Sequence, residues 1–167
     1  MALTIRRLAH QLLEEPGLLA QTVLVGIQPR GVYLSDRLVA ELRSQPDAPG
    51  FEYGQLDITF YRDDLRQQLH VPAQTRMQGT IEGRRVILVD DVLYTGRTIR
   101  AAMDALLAFG RPAKVELLVL IDRRYSRELP VQPDYTGRSI DSIVSQKVKV
   151  LWKERDGEDG VILLDQE

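Results

Sequence analysis

The sequence predicts an α/β domain with a parallel central sheet and helices on both faces, and three observations predict it. Val86, Ile87, Leu88 and Val89 form a continuous apolar run, and Lys114 to Ile121 forms a second, nearly continuous one, as do strands buried on both faces of a parallel sheet. Two apolar runs lead through a glycine-containing junction into a helical repeat: Thr22 to Ile27 into Leu34, Leu38 and Leu42, and Val86 to Val89 into Ile99, Ala102, Met103 and Leu106. Strand and helix alternate until a strand-rich tail, the order of an open sheet that binds ligands at the carboxyl ends of its strands.

The whole-chain properties agree with a single domain over residues 1–167. The chain has 167 residues, 44% of them hydrophobic, enough for a sizeable core. No run approaches the roughly 20 apolar residues of a membrane span and no signal peptide is visible, so a cytoplasmic protein with no membrane partner is expected. The absence of cysteine excludes a disulfide scaffold, a thiolate metal site and a thiol nucleophile. A net charge of −2 argues against a globally basic nucleic-acid binder and leaves a local basic patch open.

Taken in order, a first helix is predicted from about Thr4 to Glu15, burying Ile5, Leu8, Ala9 and Leu12 and ended by Pro16-Gly17. Its other face carries Arg6, Arg7 and His10, which taken alone read as a solvated face. Thr22 to Ile27 is a short buried strand, Gln28-Pro29-Arg30-Gly31 a turn, and a second amphipathic helix follows. Arg30 in such a loop is either an ordinary turn residue or a planar fork for phosphate or diphosphate. Asp47 to Gly50 is a loop, and alternation from Tyr53 to Tyr61 predicts a strand with Leu56, Ile58 and Phe60 on its covered side. The polar stretch from Leu65 to Gly83 reads as a flap or an exposed hairpin. After the strand at Lys114 to Ile121, Tyr125 to Ser142 is loop-like, and Lys147 to Trp152 and Val161 to Leu164 are two short late strands.

The chemistry concentrates in Val86 to Thr98, VILVDDVLYTGRT. Backbone N–H groups at a helix start have no partner within the helix, and with the dipole they favour a phosphate there. Gly96 lets backbone come close, and Thr95 and Thr98 offer hydroxyl donors. Asp90 and Asp91 repel phosphate; they suit sugar hydroxyls, which need acceptors, or a magnesium ion, which takes hard oxygen ligands. A molecule with a terminal phosphate and a vicinal diol, with magnesium nearby, fits both halves. Receiver domains also pair acids at a strand end but lack the Thr-Gly-x-Thr turn, and no P-loop is present.

This stretch closely resembles the phosphoribosyl pyrophosphate (PRPP) motif of the type I phosphoribosyltransferases. The surrounding residues resemble the PyrR family within that superfamily. They are Val25-Gly26-Ile27 with Arg30-Gly31, Asp57-Ile58-Thr59, Tyr61-Arg62-Asp63-Asp64-Leu65, Met103-Asp104-Ala105-Leu106, Gly110-Arg111-Pro112, Arg127-Glu128-Leu129-Pro130 and Pro133-Asp134-Tyr135. The resemblance spans about residues 5 to 150. It implies a type I phosphoribosyltransferase-like sheet with a β-hairpin flap over about 62–83 and a small strand-rich hood over about 122–167.

The resemblance also implies a reaction, uracil plus PRPP giving UMP and pyrophosphate with Mg2+, and a UMP-responsive attenuation regulator that binds a leader mRNA hairpin. PRPP would be bound by Gln28, Pro29, Arg30 and Gly31, by Asp90, Asp91, Val92, Leu93 and Tyr94, and by Thr95, Gly96, Arg97 and Thr98. Asp90, Asp91 and Arg30 would be catalytic, with Asp90 and Asp91 meeting the metal indirectly, through PRPP or water. Asp122 and Arg123 would begin the base site, and Tyr61, Arg62, Asp63 and Asp64 would start the flap. His10, Arg6, Arg138 and Lys147 would contact RNA, on a homodimer or larger even oligomer.

Three departures from the family pattern stand out. Pro29 replaces a Thr, and Gln28-Pro29 is expected to reach cis at low cost. Arg6 falls where relatives have Thr, and Asp122 to Ser126 is one residue longer than the family's Asp-Arg-Gly-His segment. A purine-base transferase competes, because Pro133-Asp134-Tyr135-Thr136-Gly137 also resembles hypoxanthine enzymes. Those usually place Lys after the late strand, where this chain has Asp122. A regulatory RNA-binding protein with a nucleotide-sensing but catalytically weak pocket is the other alternative.

Overall fold

The computed structural model of the chain describes residues 1–62, 74–143 and 145–165. Its elements are helix α1 (Ala2–Leu13), a short helical turn α2 (Pro16–Leu19), strand β1 (Thr22–Ile27), helix α3 (Gly31–Arg43), strand β2 (Glu52–Leu56), strand β3 (Arg85–Leu93), helix α4 (Arg97–Leu106), strand β4 (Lys114–Arg124), strand β5 (Tyr135–Asp141), strand β6 (Gln146–Leu151), a short helical turn α5 (Lys153–Asp156) and strand β7 (Gly160–Asp165). Strands β2-β1-β3-β4-β5 form a parallel sheet in that order, and β6 and β7 form a separate antiparallel hairpin.

Alternation within the central strands divides the core into two layers. Ile87 and Val89 of β3 face α1 and α3, packing with Leu8, Leu12, Leu34, Leu38 and Leu42; the hood supplies Val148, Val150 and Trp152 to the same layer. Val86 and Leu88 face α4, packing with Ile99, Ala102, Ala105 and Leu106. Both faces of the sheet are therefore covered, which is why these strands read as unbroken apolar runs. Burying each such side chain contributes about 1.5–3 kcal/mol before entropy is counted.

Register sets the position of the site. Gly26 pairs with Val89, so the loop over 28–31 leaves β1 beside Asp90. Leu93 pairs with Asp122, which brings the end of β4 level with the turn after β3. Gly31 opens α3 against this edge: a Cβ there would lie 2.4 Å from the Val89 carbonyl oxygen and 3.0 Å from Asp90 Cα. Only glycine allows that approach.

Several expected elements differ. The strand predicted from Tyr53 to Tyr61 stops at Leu56, and Thr59–Tyr61 is a 3-10 turn. Asp57 ends the strand by accepting hydrogen bonds from Thr59 N at 2.9 Å and Thr59 Oγ1 at 2.6 Å. Phe60, expected on the covered side, is 82% exposed. The loop-like stretch Tyr125 to Ser142 contains β5, an edge strand held to β4. Its half-exposed residues and Gly137 hid it, although Gly137 sits where a Cβ would lie 2.4 Å from the Leu120 carbonyl oxygen. Met103 is 40% exposed, so Ala105 and Ala101 join the stripe of α4 in its place. Strand β3 runs through both acids instead of ending before them. Pro16 opens a further helical turn, α2, instead of a loop.

The flap expected over 62–83 lies largely outside the described residues, including Asp63 and Asp64. The chain returns through an antiparallel bridge between Gln55 and Arg76, with both backbone hydrogen bonds at 2.8 Å.

Candidate active site

Four segments meet at the carboxyl edge of the sheet. The loop after β1 is held by Gln28, whose N–H donates to the Leu56 carbonyl at 2.9 Å and whose Nε2 donates to the Gln74 carbonyl at 2.8 Å. The Gln28–Pro29 peptide is cis, as its sequence leads one to expect. Arg30, next in the loop, donates from Nε to Asp91 Oδ2 at 3.0 Å and from Nη2 to the Val150 carbonyl of the hood; Asp156 lies 4.0 Å away.

The two acids of β3 are both 6% exposed. Asp90 Oδ1 accepts from the Asp91 backbone N–H at 2.9 Å. Burial first, and then the neighbouring charge of Asp91, raise the Asp90 carboxyl well above the usual carboxylate range. Burial raises Asp91 too, opposed by the charge and hydrogen bond of Arg30. Two buried carboxylates, with Arg30 on Asp91 and Arg62 near Asp90, form an acceptor-rich site that suits hydroxyl donors.

Beyond Leu93 the chain turns through Gly96, whose φ of 94° is left-handed, into α4. Gly96 brings no capping side chain to that helix start, and the Arg97 N–H reaches Thr95 Oγ1 at 3.4 Å. Here Asp90, Tyr94, Thr95, Thr98 and Arg62 line a cleft of about 190 Å³ at the open end of α4. The N–H groups and dipole of the α4 start lie in the same cleft as Asp90, with Arg62 and the Arg97–Glu128 pair also in its lining. Such a cleft takes a phosphate at one end and a hydroxylated sugar at the other. Arg97, expected to touch the ligand, donates from Nε to Glu128 Oε2 at 2.7 Å.

The third strand contributes less directly than its sequence implies. Asp122 is ion-paired with Arg127 and lines a separate, open cleft of about 600 Å³ with Arg124, Tyr125 and Pro133. Arg123 is 3% exposed; its guanidinium donates to Ser142 Oγ at 2.9 Å and the Gln146 carbonyl at 2.8 Å, and lies 3.9 Å from the centre of the Tyr94 ring. Both side chains are engaged by protein partners. Tyr125, in the lengthened loop, adopts a φ of 65° and is 82% exposed.

Three residues at the site received no role from sequence. Arg127 binds the Tyr94 and Leu93 carbonyls, the Arg123 carbonyl at 3.0 Å and the Val131 carbonyl at 3.0 Å, joining the ends of β3 and β4. Its place in the Arg-Glu-Leu-Pro motif was the available signal. Glu128 lines the phosphate end and pairs with Arg97. Trp152, fully buried, packs its ring 6.1 Å from Tyr33 and 5.0 Å from the Arg37 guanidinium.

Of the four residues expected to contact RNA, His10, Arg138 and Lys147 are exposed, and Arg6 pairs with Glu41 at 3.3 Å. Arg7 docks α1 on β5, donating to the Thr136 carbonyl at 3.0 Å and the Gly137 carbonyl at 2.6 Å. Among the described residues no helix is long and apolar enough to cross a membrane.

Comparison with known proteins agrees with this geometry. Residues 1–155 match the family model described as a phosphoribosyl transferase domain. The chain is 47% identical over 162 residues to the bifunctional protein PyrR of Microcystis aeruginosa, covering 96% of this chain and 90% of that one. It is 47% identical over 163 residues to the bifunctional protein PyrR of Deinococcus deserti, covering 96% and 88%. Among solved structures, a hypoxanthine phosphoribosyltransferase from Staphylococcus aureus superposes with a TM-score of 0.63 at 19% identity, over 86% of this chain and 77% of that one. The Trypanosoma cruzi enzyme of the same name gives 0.61 at 23% identity, over 83% and 76%. At such identities these structures speak for the fold alone, whereas the full-length relatives speak for the family. This chain belongs to the phosphoribosyl transferase domain family and, within it, to the PyrR proteins.

Proposed function

We infer that the chain is a uracil phosphoribosyltransferase that converts uracil and PRPP to UMP and pyrophosphate, and that it also regulates pyrimidine genes by binding a leader mRNA hairpin when UMP is bound. The observation that carries the enzymatic reading is the cleft that the start of α4 and the buried Asp90 line together, with Asp91 and its partner Arg30 next to Asp90 in the chain fold.

The residues divide the work by charge. The α4 start with Thr95, Gly96 and Thr98 binds the 5′-phosphate. Asp90 and Asp91 accept hydrogen bonds from the ribose diol, and Asp91 faces the positive charge that develops at C1 as its bond to the diphosphate oxygen breaks. Arg30 leaves Asp91 to neutralise the departing pyrophosphate, and N1 of uracil bonds to C1 as its proton is lost. No side chain forms a covalent intermediate; positioning and electrostatics lower the barrier. Closure of the flap that begins at Tyr61 and Arg62 excludes water, which would hydrolyse PRPP.

The chain's own residues fit magnesium only as a shared site. Among the described residues no cluster of three or more His, Asp or Glu is placed to hold a metal ion, but the Asp90–Asp91 pair offers hard oxygens at the ligand. When bound, Mg2+ would neutralise charge on the diphosphate, with Asp90 and Asp91 meeting it indirectly, through PRPP or water.

The exposed His10 on α1, with Arg6, Arg138 and Lys147, supplies the RNA contacts. The acting unit is a cytoplasmic homodimer or larger even assembly, a reading supported by the exposed apolar run Val161, Ile162, Leu163 and Leu164 on β7. Pyrophosphate release from PRPP and Mg2+ with uracil, hypoxanthine, guanine or orotate tests the enzyme: uracil alone should be active, and activity with hypoxanthine or guanine would establish the purine reading. For the regulator, His10→Ala should weaken binding of leader RNA in the presence of UMP. Absence of binding by the unaltered protein at low salt would refute it.

A further inference from the structure

Four arginines at the carboxyl edge of the sheet each hold a carboxylate: Arg30 holds Asp91, Arg97 holds Glu128, Arg124 holds Asp141 and Arg127 holds Asp122. Arg123 holds none. Among the described residues no carboxylate lies within ion-pair distance of it, although it is the most deeply buried of the five. Its guanidinium meets neutral groups, donating to Ser142 Oγ at 2.9 Å, the Gln146 carbonyl at 2.8 Å and the Ile143 carbonyl at 3.3 Å, with the Tyr94 ring centre 3.9 Å away. These contacts fix the group in place without cancelling its charge. A buried cation with no anion is costly, and groups so perturbed gather where a ligand brings the missing charge.

The surroundings say which part of the ligand meets this charge. Tyr94 lines the cleft with Asp90 and Thr95, so Arg123 lies directly behind a wall of the ligand site. Strand β6 carries both the Gln146 carbonyl that holds Arg123 and the Val150 carbonyl that holds Arg30. Carbonyls four residues apart on a strand point to the same edge, about 13 Å from each other. From one end of that edge Arg30 reaches Asp91, and from the other Arg123 reaches Tyr94. In a displacement at C1 the departing diphosphate and the incoming base lie on opposite sides of the carbon. With Arg30 serving the diphosphate, the far end of the edge falls to the base. The 5′-phosphate is served elsewhere, since the hood packs in the layer of α1 and α3 and α4 packs in the opposite one.

We propose that Arg123 is a positioning residue for the base: held behind Tyr94, its uncancelled charge favours the N1-deprotonated form of uracil as it approaches C1. This rests on the transferase reading of the same site. Uracil is a weak acid at N1 and a poor nucleophile while protonated. N1 gives its proton to solvent, its electron pair forms the bond to C1, and the pair of the breaking C1–oxygen bond leaves with pyrophosphate. The buried guanidinium offsets the negative charge that the ring carries before that bond forms, and it does so through the Tyr94 ring, without touching the base.

Arg123→Gln tests this, because it keeps an amide donor for the Gln146 carbonyl and removes the charge. Steady-state kinetics would be run with uracil and with 5-fluorouracil, which has nearly the same shape and is the stronger acid. For uracil, kcat/KM should fall roughly ten-fold or more; for 5-fluorouracil it should fall less than about three-fold, since that base needs less help to ionise. The dissociation constant of UMP, whose base carries no charge, should stay within two-fold of the unaltered protein. Equal losses for the two bases, an unchanged kcat/KM for uracil, or UMP binding weakened as much as the uracil reaction would each overturn the proposal, the last by giving the charge to the 5′-phosphate. If the variant does not fold, the unaltered protein decides: at pH 8 it should bind 5-fluorouracil several-fold more tightly than uracil, and equal or weaker binding overturns the role. Failure of the unaltered protein to form UMP from uracil, PRPP and Mg2+ refutes the transferase reading and this role together, whereas UMP formation with equal losses for the two bases refutes this role alone.

Discussion

Arg30 Nε lies 3.0 Å from Asp91 Oδ2, so two groups to which the proposed function gives different parts of the ligand are held against each other. The pair is mutually protective: a partly buried guanidinium and a buried carboxylate each lack water, and each gives the other a charged partner. On the proposed function, a diphosphate that draws Arg30 away would leave Asp91 open to the diol.

Asp91→Asn keeps the shape of the site and removes the charge facing C1. We expect kcat to fall roughly 100-fold while the dissociation constant for PRPP rises much less, because the lost interaction is strongest in the transition state. Single-turnover kinetics with equilibrium PRPP binding would separate the two effects; equal losses in both would show that Asp91 only binds.

Asp90 gives a pH signature. Its folded-state carboxyl is raised above the ordinary 3.8, by burial and then by the Asp91 charge. A raised carboxyl pKa means that the folded protein holds this proton more tightly than the unfolded chain. Its stabilising contribution is therefore complete below the unfolded value of 3.8 and is lost as pH rises through the folded value. Asp90→Asn should accordingly stabilise the ligand-free protein at pH 8, by roughly 1–2 kcal/mol, with the gain shrinking toward pH 4. Denaturant unfolding at several pH values measures it, and a gain larger at low pH would contradict the assignment.

Gly31→Ala tests the close approach of α3 to β3. The new Cβ meets the Val89 carbonyl oxygen at 2.4 Å and Asp90 Cα at 3.0 Å, both backbone and neither able to rotate away. A stability loss of about 1–3 kcal/mol is expected, together with weaker PRPP binding, because the shift falls on the loop carrying Arg30. Urea unfolding and PRPP titration would read the two effects.

The hood is anchored by Arg37, which donates to Glu154 Oε2 and Asp159 Oδ1, both at 2.7 Å, besides lying over Trp152. Arg37 holds the Asp159 carboxyl down to about 2, from an ordinary 3.8. A depressed carboxyl contributes stability above 3.8 that is lost as pH falls toward about 2. Arg37→Ala should cost about 1–2 kcal/mol at pH 7, a modest figure because both acids are partly solvated, and the Asp159 share of that cost should fade below pH 3.8. Thermal melts of the pair across pH would show the convergence.

How much was legible in the sequence follows from where each residue's partners lie. Strands β1, β3 and β4 could be read because they are covered on both faces, and burial on both faces leaves an unbroken apolar run. Strand β5 could not, since an edge strand with half-exposed residues and a glycine has the composition of a loop. The alternation through Leu56 and Ile58 overran its strand because nothing in that pattern registers the Asp57 side chain turning back on Thr59. At the site, Asp90, Asp91 and the Thr95–Thr98 turn declared themselves through one contiguous motif. Arg127 did not, because its role is set by carbonyls from distant segments, and Arg123, expected in the base site, is instead held by Ser142 and the Gln146 carbonyl. Trp152 read only as the end of an apolar strand; its burial against Tyr33 and Arg37 is visible only in the folded hood.

The account rests most on the identity of the transfer, and one time course tests it. The protein is incubated with PRPP, Mg2+ and uracil while UMP and pyrophosphate are followed together. Equal amounts of UMP and pyrophosphate, with no pyrophosphate released when uracil is omitted, are predicted. Pyrophosphate release at the same rate without uracil would show hydrolysis instead of transfer and would contradict the account.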